Sequence, residues 1–334
     1  MRSPDLSVLL CVLGSPQRAL RTVEYLRGQT VRERIEIVLI TSSTNGLALD
    51  EEIATDFCGV RVVDAGVLES RAQAMAEGVR QAGAPLVAFG GNHSYPSEDW
   101  AEQLIDAHRS GWAGVAPAEL NANPATMVSW SHFFMGHGRW VHPIAAGVID
   151  AMPSASGVYR RDLLLACEPD LGDKLERDGG ISKDLQSKGH QLFLEPAARV
   201  RHYNVSLLRS LVRVRYHVGR EFGASRVRRE RWSRPRRLLY ILGLPLIPIL
   251  QLRLVLGWIR RCDREYQLLP RILPTLSVGV IAHAIGEVLG YAFGPGNARQ
   301  QILAFEADIE RHMTEPDQQL RAREFCPGGV GRRA

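Results

Sequence analysis

Short apolar runs alternate with helix-like segments through the first ninety residues, and this alternation constrains the fold more than any other feature. The apolar runs span residues 6–13, 35–43, 60–66 and 86–89. Ser15 and Pro16 open one intervening segment with helical spacing of apolar residues, and residues 70–82 form another. Strands that alternate with helices are typical of a parallel sheet covered by helices on both faces. The sequence therefore predicts an α/β fold with a Rossmann-like, mostly parallel sheet.

Arginine is concentrated in one segment that follows this α/β part. Residues 209–237 contain eleven arginines and two glutamates, whereas the whole chain of 334 residues carries a net charge of +5. A basic segment can bind nucleic acid, but this one adjoins apolar helices and matches no nucleic-acid-binding fold, so no such partner is predicted. The predicted organisation is an α/β domain over residues 1–206, an Arg-rich connector over 207–237, hydrophobic helices over 238–315 and a polar tail over 316–334.

Two long apolar runs lie in the C-terminal region, and neither is an uninterrupted membrane span. Two prolines interrupt residues 238–250, and His283 and Glu287 interrupt residues 268–294. Arginine pairs flank the first run on both sides. These features predict helices that lie in or dip into a membrane interface, where arginines meet anionic headgroups. The alternative is a buried helical subdomain with solvated arginines.

The cysteines and the N-terminus bear on the compartment. Five cysteines at irregular spacing, with no Cys-x-x-Cys pair, favour reduced thiols over a disulfide scaffold or a zinc site. The first apolar run is short and lacks a small-residue cleavage site, which favours a buried strand over a signal peptide. Together with the basic apolar region, these features predict a location at the cytoplasmic face of a membrane.

Four sequence blocks, in this order, resemble those of family 2 glycosyltransferases. The first two are LSVLLCVLGSPQRALRTVEYLRGQTVRERIEIVLITSS and RAQAMAEGVRQAGAPLVAFGGNHSYPSEDW. The third, SGVYRRDLL, is similar to the family's acceptor-side block, and the fourth, GHQLFLEPAARVRHYNVS, to the end of its catalytic domain. The resemblance covers residues 6–206 and implies a GT-A fold that transfers a sugar from a nucleotide-sugar, usually with inversion and a divalent metal. A UDP-sugar donor and a lipid-linked or polysaccharide acceptor are expected, and the hydrophobic C-terminal helices resemble those of membrane-bound members.

The loop FGGNH stands where related sequences carry the metal-binding carboxylates. Gly91 and Asn92 occupy those positions, and His93 stands at the third position of the motif. The resemblance implies that His93 and His202 together hold Mn²⁺ or Mg²⁺, since some glycosyltransferases pair a loop histidine with one from the end of the domain. Without a carboxylate, metal binding is expected to be weak and to depend on the nucleotide phosphates. The alternative for each histidine is a hydrogen-bonded structural role.

The resemblance also implies a donor site and a catalytic base. The donor site is expected to be lined by Leu13, Ser42, Arg71, Gly91 and Asn92. In LERDGGISKDLQSKGH, Asp178 lies eleven residues before Gly189, where the family's catalytic acidic residue falls. Asp178 is therefore the candidate general base, and its alternative role is that of a turn residue before two glycines. The nearest rivals for the base are Glu176 and Asp184.

Two departures from the family's pattern motivate a different function. The second apolar run ends in Thr41, Ser42 and Ser43, where the family usually has an aspartate that contacts the nucleoside. The acceptor block has Ala155 and Ser156, where a His-Asn or similar polar pair is expected. A catalytically impaired scaffold or binding subunit is therefore the second hypothesis, and a peripheral lipid-binding protein is the third.

Overall fold

The computed structural model describes residues 3–12, 16–42, 54–67, 70–153, 156–176, 179–262 and 267–324. The chain forms two compact units. The first contains Met1–Leu120 and His142–His202, and the second contains Asn121–Val141 and Tyr203–Arg323. The predicted positions Leu13, Ala155 and Asp178 lie outside the described residues.

A mixed sheet forms the centre of the first unit. Its strands are β1 (Leu6–Cys11), β2 (Ile35–Thr41), β3 (Gly59–Asp64), β4 (Leu86–Gly90), β5 (Ser94–Pro96), β6 (Gly114–Asn121), β7 (Gly147–Ile149), β8 (Val158–Arg160) and β9 (Leu192–His202). Their order is β3-β2-β1-β4-β8-β6-β9-β5, with β7 paired to β9. Strands β1 to β4 are parallel, whereas β5, β7 and β8 pair antiparallel with their neighbours. The predicted α/β class is confirmed.

Helices connect and cover these strands. They are α1 (Pro16–Arg27), α2 (Arg71–Gln81), α3 (Trp100–His108), α5 (Arg161–Leu165), α6 (Leu171–Glu176) and α7 (Gly180–Ser187), with α4 (Met127–His137) belonging to the second unit. Every residue of β1 and β2 is buried, which is why both strands read as continuous apolar runs. The exceptions, Ser7 and Glu36, hydrogen-bond each other, and Glu36 also accepts the backbone N–H of Gly83 at 2.7 Å. The buried carboxylate is thus paired, as a buried charge requires.

His108, on α3, is a buried group that makes the stability of the first unit depend on pH. Its Nδ1 donates to the carbonyl of Leu104 at 2.8 Å, and burial lowers its pKa to about 4. The unfolded chain takes up this proton near pH 6.5, so stability is lost as pH falls from 6.5 toward 4. The variant His108→Gln keeps an N–H donor but cannot titrate. Between pH 7.5 and pH 5 we expect its free energy of unfolding to fall by about 2 kcal/mol less than that of the wild type. Urea unfolding at both pH values measures this difference, and parallel losses in the two proteins would contradict it.

The second unit is helical. Beside α4 it contains α8 (Leu208–Arg229), α9 (Arg234–Leu242), α10 (Leu246–Ile259), α11 (Leu269–Phe293), α12 (Ala298–Ala307) and α13 (Glu315–Glu324). Helix α13 covers part of the expected polar tail, and its Asp317 and Arg321 are buried. Asn123 and Asn204 exchange two hydrogen bonds, Nδ2 to the Asn204 carbonyl at 2.9 Å and the Asn204 N–H to Oδ1 at 2.8 Å. These buried amides join the two chain segments of this unit.

Glycines bring α8 and α11 into backbone contact. Gly219 and Gly223 on α8 face the carbonyl oxygens of α11 residues 283 and 287, and a Cβ on either glycine would overlap that oxygen. Gly286 and Gly290 on α11 face carbonyl oxygens of α8 in the same way. Each pair is four residues apart and so lies on one helix face. The Gly-x-x-x-Gly spacing on both helices therefore determines how closely they pack.

Among the described residues, α11 alone is long and apolar enough to cross a membrane, by length and composition. Half of its apolar window is buried inside the protein. Helices α9 and α10 meet the same criterion only as a pair, and they are bent by 68° at the break between them. Length and composition alone do not distinguish a span from the central helix of a helical unit.

Candidate active site

The loop after β4 lies beside the end of β9 in the first unit. Strand β5 begins directly after this loop and pairs antiparallel with β9, so that Ser94 lies opposite His202. The imidazole rings of His93 and His202 are 4.7 Å apart between centroids and nearly perpendicular, at 81°. The structure thus brings together the two histidines that the sequence analysis paired.

Side chains from three elements fix the course of this loop. Thr22 on α1 donates to the carbonyl of Gly91 at 3.1 Å, and Arg71 Nη2 on α2 donates to the carbonyl of Gly90 at 3.0 Å. The hydroxyl of Tyr95 donates to the carbonyl of Asn92 at 3.3 Å, and the Asn92 side chain is buried. Arg71, predicted to line the donor site, therefore lies where β4 passes into the loop and contacts the last residue of that strand.

Gly90, the last residue of β4, and Gly91, the first residue after it, are closely packed. A Cβ on Gly90 would overlap the Leu10 side chain and lie 3.2 Å from the Leu9 carbonyl oxygen. A Cβ on Gly91 would lie 3.0 Å from the hydroxyl of Ser94. Both contacts are tighter than ordinary van der Waals distances. A larger residue at position 91 would therefore require the Ser94 side chain to shift.

The residues present fit a divalent cation in part. Two imidazole rings lie close together here, and no group of three His, Cys, Asp or Glu side chains with metal-binding geometry occurs among the described residues. Neutral imidazoles supply no charge, and Mg²⁺ and Mn²⁺ favour oxygen ligands. A cation at this pair would therefore need further oxygen ligands that carry charge.

Ser42 lies at the same edge of the sheet as the loop. It is exposed and follows β2, which is parallel to β1 and β4. Strand β3 ends beside β2, and Asp64 pairs in register with Thr41. Asp64 lines an open cavity of about 340 Å³ together with Ser70 and Gln73. Its Oδ1 accepts the backbone N–H of Gly66 at 2.8 Å. A carboxylate thus lies next to the end of β2, where the family's aspartate is missing.

Asp64 escaped the sequence analysis because the register between β2 and β3 is not visible in the sequence. Its only signal was an acidic residue followed by Ala-Gly at the end of an apolar run. Glu119 on β6 was missed as well. It is buried, and its Oε1 accepts a hydrogen bond from Ser156 at 2.7 Å. Ser156, the acceptor-block residue singled out above, therefore points into the protein interior.

Glu176 and Asp184, the alternative candidates for the general base, both interact with other side chains of the protein. Glu176 accepts a 2.5 Å hydrogen bond from Ser70, whose hydroxyl also accepts the backbone N–H of Gln73 and caps α2. Asp184 contacts Lys174 at 2.8 Å and Lys188 at 2.7 Å. The two ammonium groups hold the pKa of Asp184 well below its usual range. Both carboxylates are thus engaged in holding helices in place.

No protein-family model matches the sequence, and a search of curated proteins found no match. Among solved structures, the chain is similar to the mannosyltransferase PcManGT from Pyrobaculum calidifontis, solved with GDP-Man and Mn²⁺, with 11% identity, 88% of each chain covered and a TM-score of 0.52. For GalNAc-T7, solved with UDP, GalNAc and Mn²⁺, the values are 18% identity, 60% of this chain, 43% of that chain and a TM-score of 0.44. For residues 1–349 of S. aureus TarS, solved with UDP, the identity is 13%, the match covers 87% of this chain and 92% of that chain, and the TM-score is 0.43.

The similarity to the mannosyltransferase shows the fold. Its coverage extends over most of both chains, and it agrees with the GT-A fold that the sequence blocks imply. This chain spans less than half the length of GalNAc-T7. Fold similarity does not establish chemistry, because one fold hosts many functions, and the activity is therefore argued from the site.

Proposed function

We propose that the protein is a glycosyltransferase that moves a sugar from a nucleotide-sugar, with a UDP-sugar as the leading candidate, to a lipid-linked or polysaccharide acceptor. The transfer inverts the anomeric carbon and takes place at the cytoplasmic face of a membrane. The observation that carries this proposal is the contact of His93 and His202 at the loop after β4. Their arrangement offers ligands for the cation that accompanies a nucleoside diphosphate in the mannosyltransferase of similar fold.

The donor lies along the edge formed by the ends of β1 to β4. His93 and His202, with Asn92, would hold a divalent cation there, and such a cation neutralises charge on a departing diphosphate. Arg71 places a guanidinium beside the same loop, and this group suits phosphate recognition. Ser42 and Leu13 flank the nucleoside, and Asp64 accepts hydrogen bonds from its hydroxyl groups.

We assign Asp178 to the side of the sugar opposite the departing diphosphate. The acceptor oxygen forms a new bond to the anomeric carbon while the bond from that carbon to the diphosphate oxygen breaks. Asp178 takes the proton of the acceptor hydroxyl, and the nucleoside diphosphate leaves with the electron pair of the broken bond. The hydrogen bond of Glu176 to Ser70 and the contacts of Asp184 with two lysines favour Asp178 in this role, because each alternative carboxylate would first have to leave its partner.

A scaffold or binding subunit is the second candidate function. It is favoured by the loop, where residues 90–93 carry no carboxylate and Gly91 is closely packed against Ser94. A protein of this kind would keep the GT-A fold and lose metal-dependent binding of nucleotides. Nucleotide titration separates the two candidates.

Calorimetric titration with UDP and with GDP tests the proposed function. We expect Mn²⁺ to strengthen binding of one of them by roughly tenfold or more, because the cation joins the histidines to the phosphates. His93→Ala and His202→Ala should each abolish this gain, whereas His190→Ala should keep it, since His190 precedes β9 and lies at its opposite end. Binding that ignores Mn²⁺ would refute the metal role, and binding of neither nucleotide would favour the scaffold.

A further inference from the structure

The surface of α9 and α10 is unusually apolar for a surface in contact with water. Single exposed leucines are common in soluble proteins, but a continuous group of them marks an interaction site. Along these two helices, seven large aliphatic side chains are between 50% and 70% exposed. We call these residues the aliphatic face: Leu238, Leu239, Leu242, Leu246, Ile249, Leu250 and Leu254.

The inner sides of the same helices are firmly held within the second unit. The ring of Tyr240 on α9 lies 4.2 Å from that of Trp232 and 5.9 Å from that of Tyr291, between centroids. The Arg226 guanidinium lies over the Trp232 ring at 5.1 Å, and Glu230 accepts the Trp232 indole N–H at 2.7 Å. Val255 and Ile259 of α10 are buried in a core shared with α4 and α11. The aliphatic face is thus the outer side of an ordered element.

Neither helix is long enough to cross a bilayer. The nine residues of α9 and the fourteen of α10 correspond to about 13 Å and about 21 Å, against a hydrocarbon core of about 30 Å. The 68° bend between them prevents their use as one straight span. Arg253 is exposed on α10 between Leu250 and Leu254, which suits a depth where the guanidinium reaches water.

Helix α11 is packed as a central helix of the second unit. It lies in backbone contact with α8 at Gly219 and Gly223, and α8 carries seven arginines and one glutamate in 22 residues. A helix with that many charges is not stable inside a hydrocarbon layer. A position across the membrane for α11 would therefore require this close helix pair to separate.

Arginine predominates in the segment that carries the aliphatic face. Residues 231–286 contain nine arginines and two acidic residues. Arg234, Arg260 and Arg261 are exposed at the ends of α9 and α10. Guanidinium groups near an apolar surface match the phosphates of an anionic bilayer, and each contributes to attraction within a Debye length of it.

From these observations we infer that α9 and α10 form an elbow that docks into the surface of an anionic bilayer without crossing it. The aliphatic face enters the boundary between headgroups and acyl chains, and the flanking arginines bind lipid phosphates. This inference rests on the proposed membrane location and specifies its residues, its depth and the charge of the lipid.

Sedimentation of the purified full-length protein with vesicles tests the docking. We expect binding to vesicles of phosphatidylcholine with 30% phosphatidylglycerol at 0.1 M salt, and at least tenfold weaker binding to phosphatidylcholine alone. Leu242→Gln with Leu246→Gln should weaken the binding at least tenfold, as should Arg234→Gln with Arg260→Gln and Arg261→Gln. The matched control, Val67→Gln with Val148→Gln, replaces two exposed side chains of the first unit and should bind as the wild type does.

Several outcomes would overturn the inference. Unchanged binding of the leucine variant, equal binding to neutral vesicles, or no binding to either would each do so. Protein that resists extraction from vesicles by alkaline carbonate would show insertion across the bilayer and would refute interfacial docking. UDP and GDP titration of the same variants separates this inference from the proposed function, because the nucleotide site lies in the first unit and the elbow in the second.

Discussion

Replacing Gly286 with alanine is expected to destabilise the helical unit by about 3 kcal/mol. The new Cβ would overlap the carbonyl oxygen of Tyr216 and lie 2.9 Å from the backbone nitrogen of Arg220. Both atoms belong to the backbone of α8, so no side-chain rotation relieves the contact. Helix α8 would have to move away from α11, and the contacts at Gly219, Gly223 and Gly290 would loosen with it. Chemical unfolding monitored by helix content measures the loss.

Gly257→Ala provides the matched control for this substitution. Gly257 lies within α10 of the same unit, and no atom lies within 4 Å of a Cβ placed there. Alanine has a higher helix propensity than glycine, so this variant should be as stable as the wild type or more stable by up to about 1 kcal/mol. Equal unfolding midpoints for Gly286→Ala and the wild type would show that the two helices are not held by close backbone packing.

The glycine contacts show what a sequence reveals only in part. The spacing of Gly219 and Gly223, and of Gly286 and Gly290, is visible in the sequence. What the sequence does not show is that the two pairs face each other, because that depends on the tertiary arrangement of α8 and α11. The apolar stretch of α11 predicted a helix correctly. Its partner, an arginine-rich helix, was described only as a connector.

All four apolar runs of the first ninety residues contain a strand in the structure, including β3, which is mostly not buried. The runs of β1, β2 and β4 consist mostly of apolar residues, and the structure has strands there. Strand β9 runs unbroken from Leu192 to His202 although it contains Pro196. It pairs with β7 at residues 192–194 and with β5 at 200–202. Pro196 thus lies between two ladders, where it interrupts neither.

The two histidines of the candidate site could be paired from the sequence, whereas the position of Asp64 beside it could not be predicted. The resemblance to glycosyltransferases paired His93 with His202, and the short antiparallel ladder between β5 and β9 brings them together. Asp64 reaches the edge of the sheet only through the register of β3 against β2. Such register depends on which residues pair across strands, and neither the uniformly buried β2 nor the largely exposed β3 has an alternation of apolar residues that would determine it.

Asp178→Asn is expected to reduce turnover by roughly 10²–10⁴-fold while leaving the affinity for the nucleotide unchanged. Asparagine keeps the size of the side chain and removes its ability to accept a proton. The measurement is release of UDP or GDP from the sugar nucleotide that binds, with water as the acceptor. The pH profile adds a second readout, because removal of the base should abolish the fall in rate on its acidic side.

Asp184→Asn is the matched control, with the same chemical change six residues further along the chain. The two lysines that contact Asp184 depress its pKa, so the wild-type carboxylate stabilises the fold above pH 4 and this contribution is lost as pH falls through its folded value. The variant should therefore lose about 1 kcal/mol of stability at neutral pH and keep its turnover within a few-fold. If Asp184→Asn abolished turnover in a folded protein and Asp178→Asn did not, the base would be Asp184, and its contacts with Lys174 and Lys188 would have to open during catalysis. If neither variant lost turnover, the proton would leave through a different group, and the proposed mechanism would fail at that step while the donor site remained.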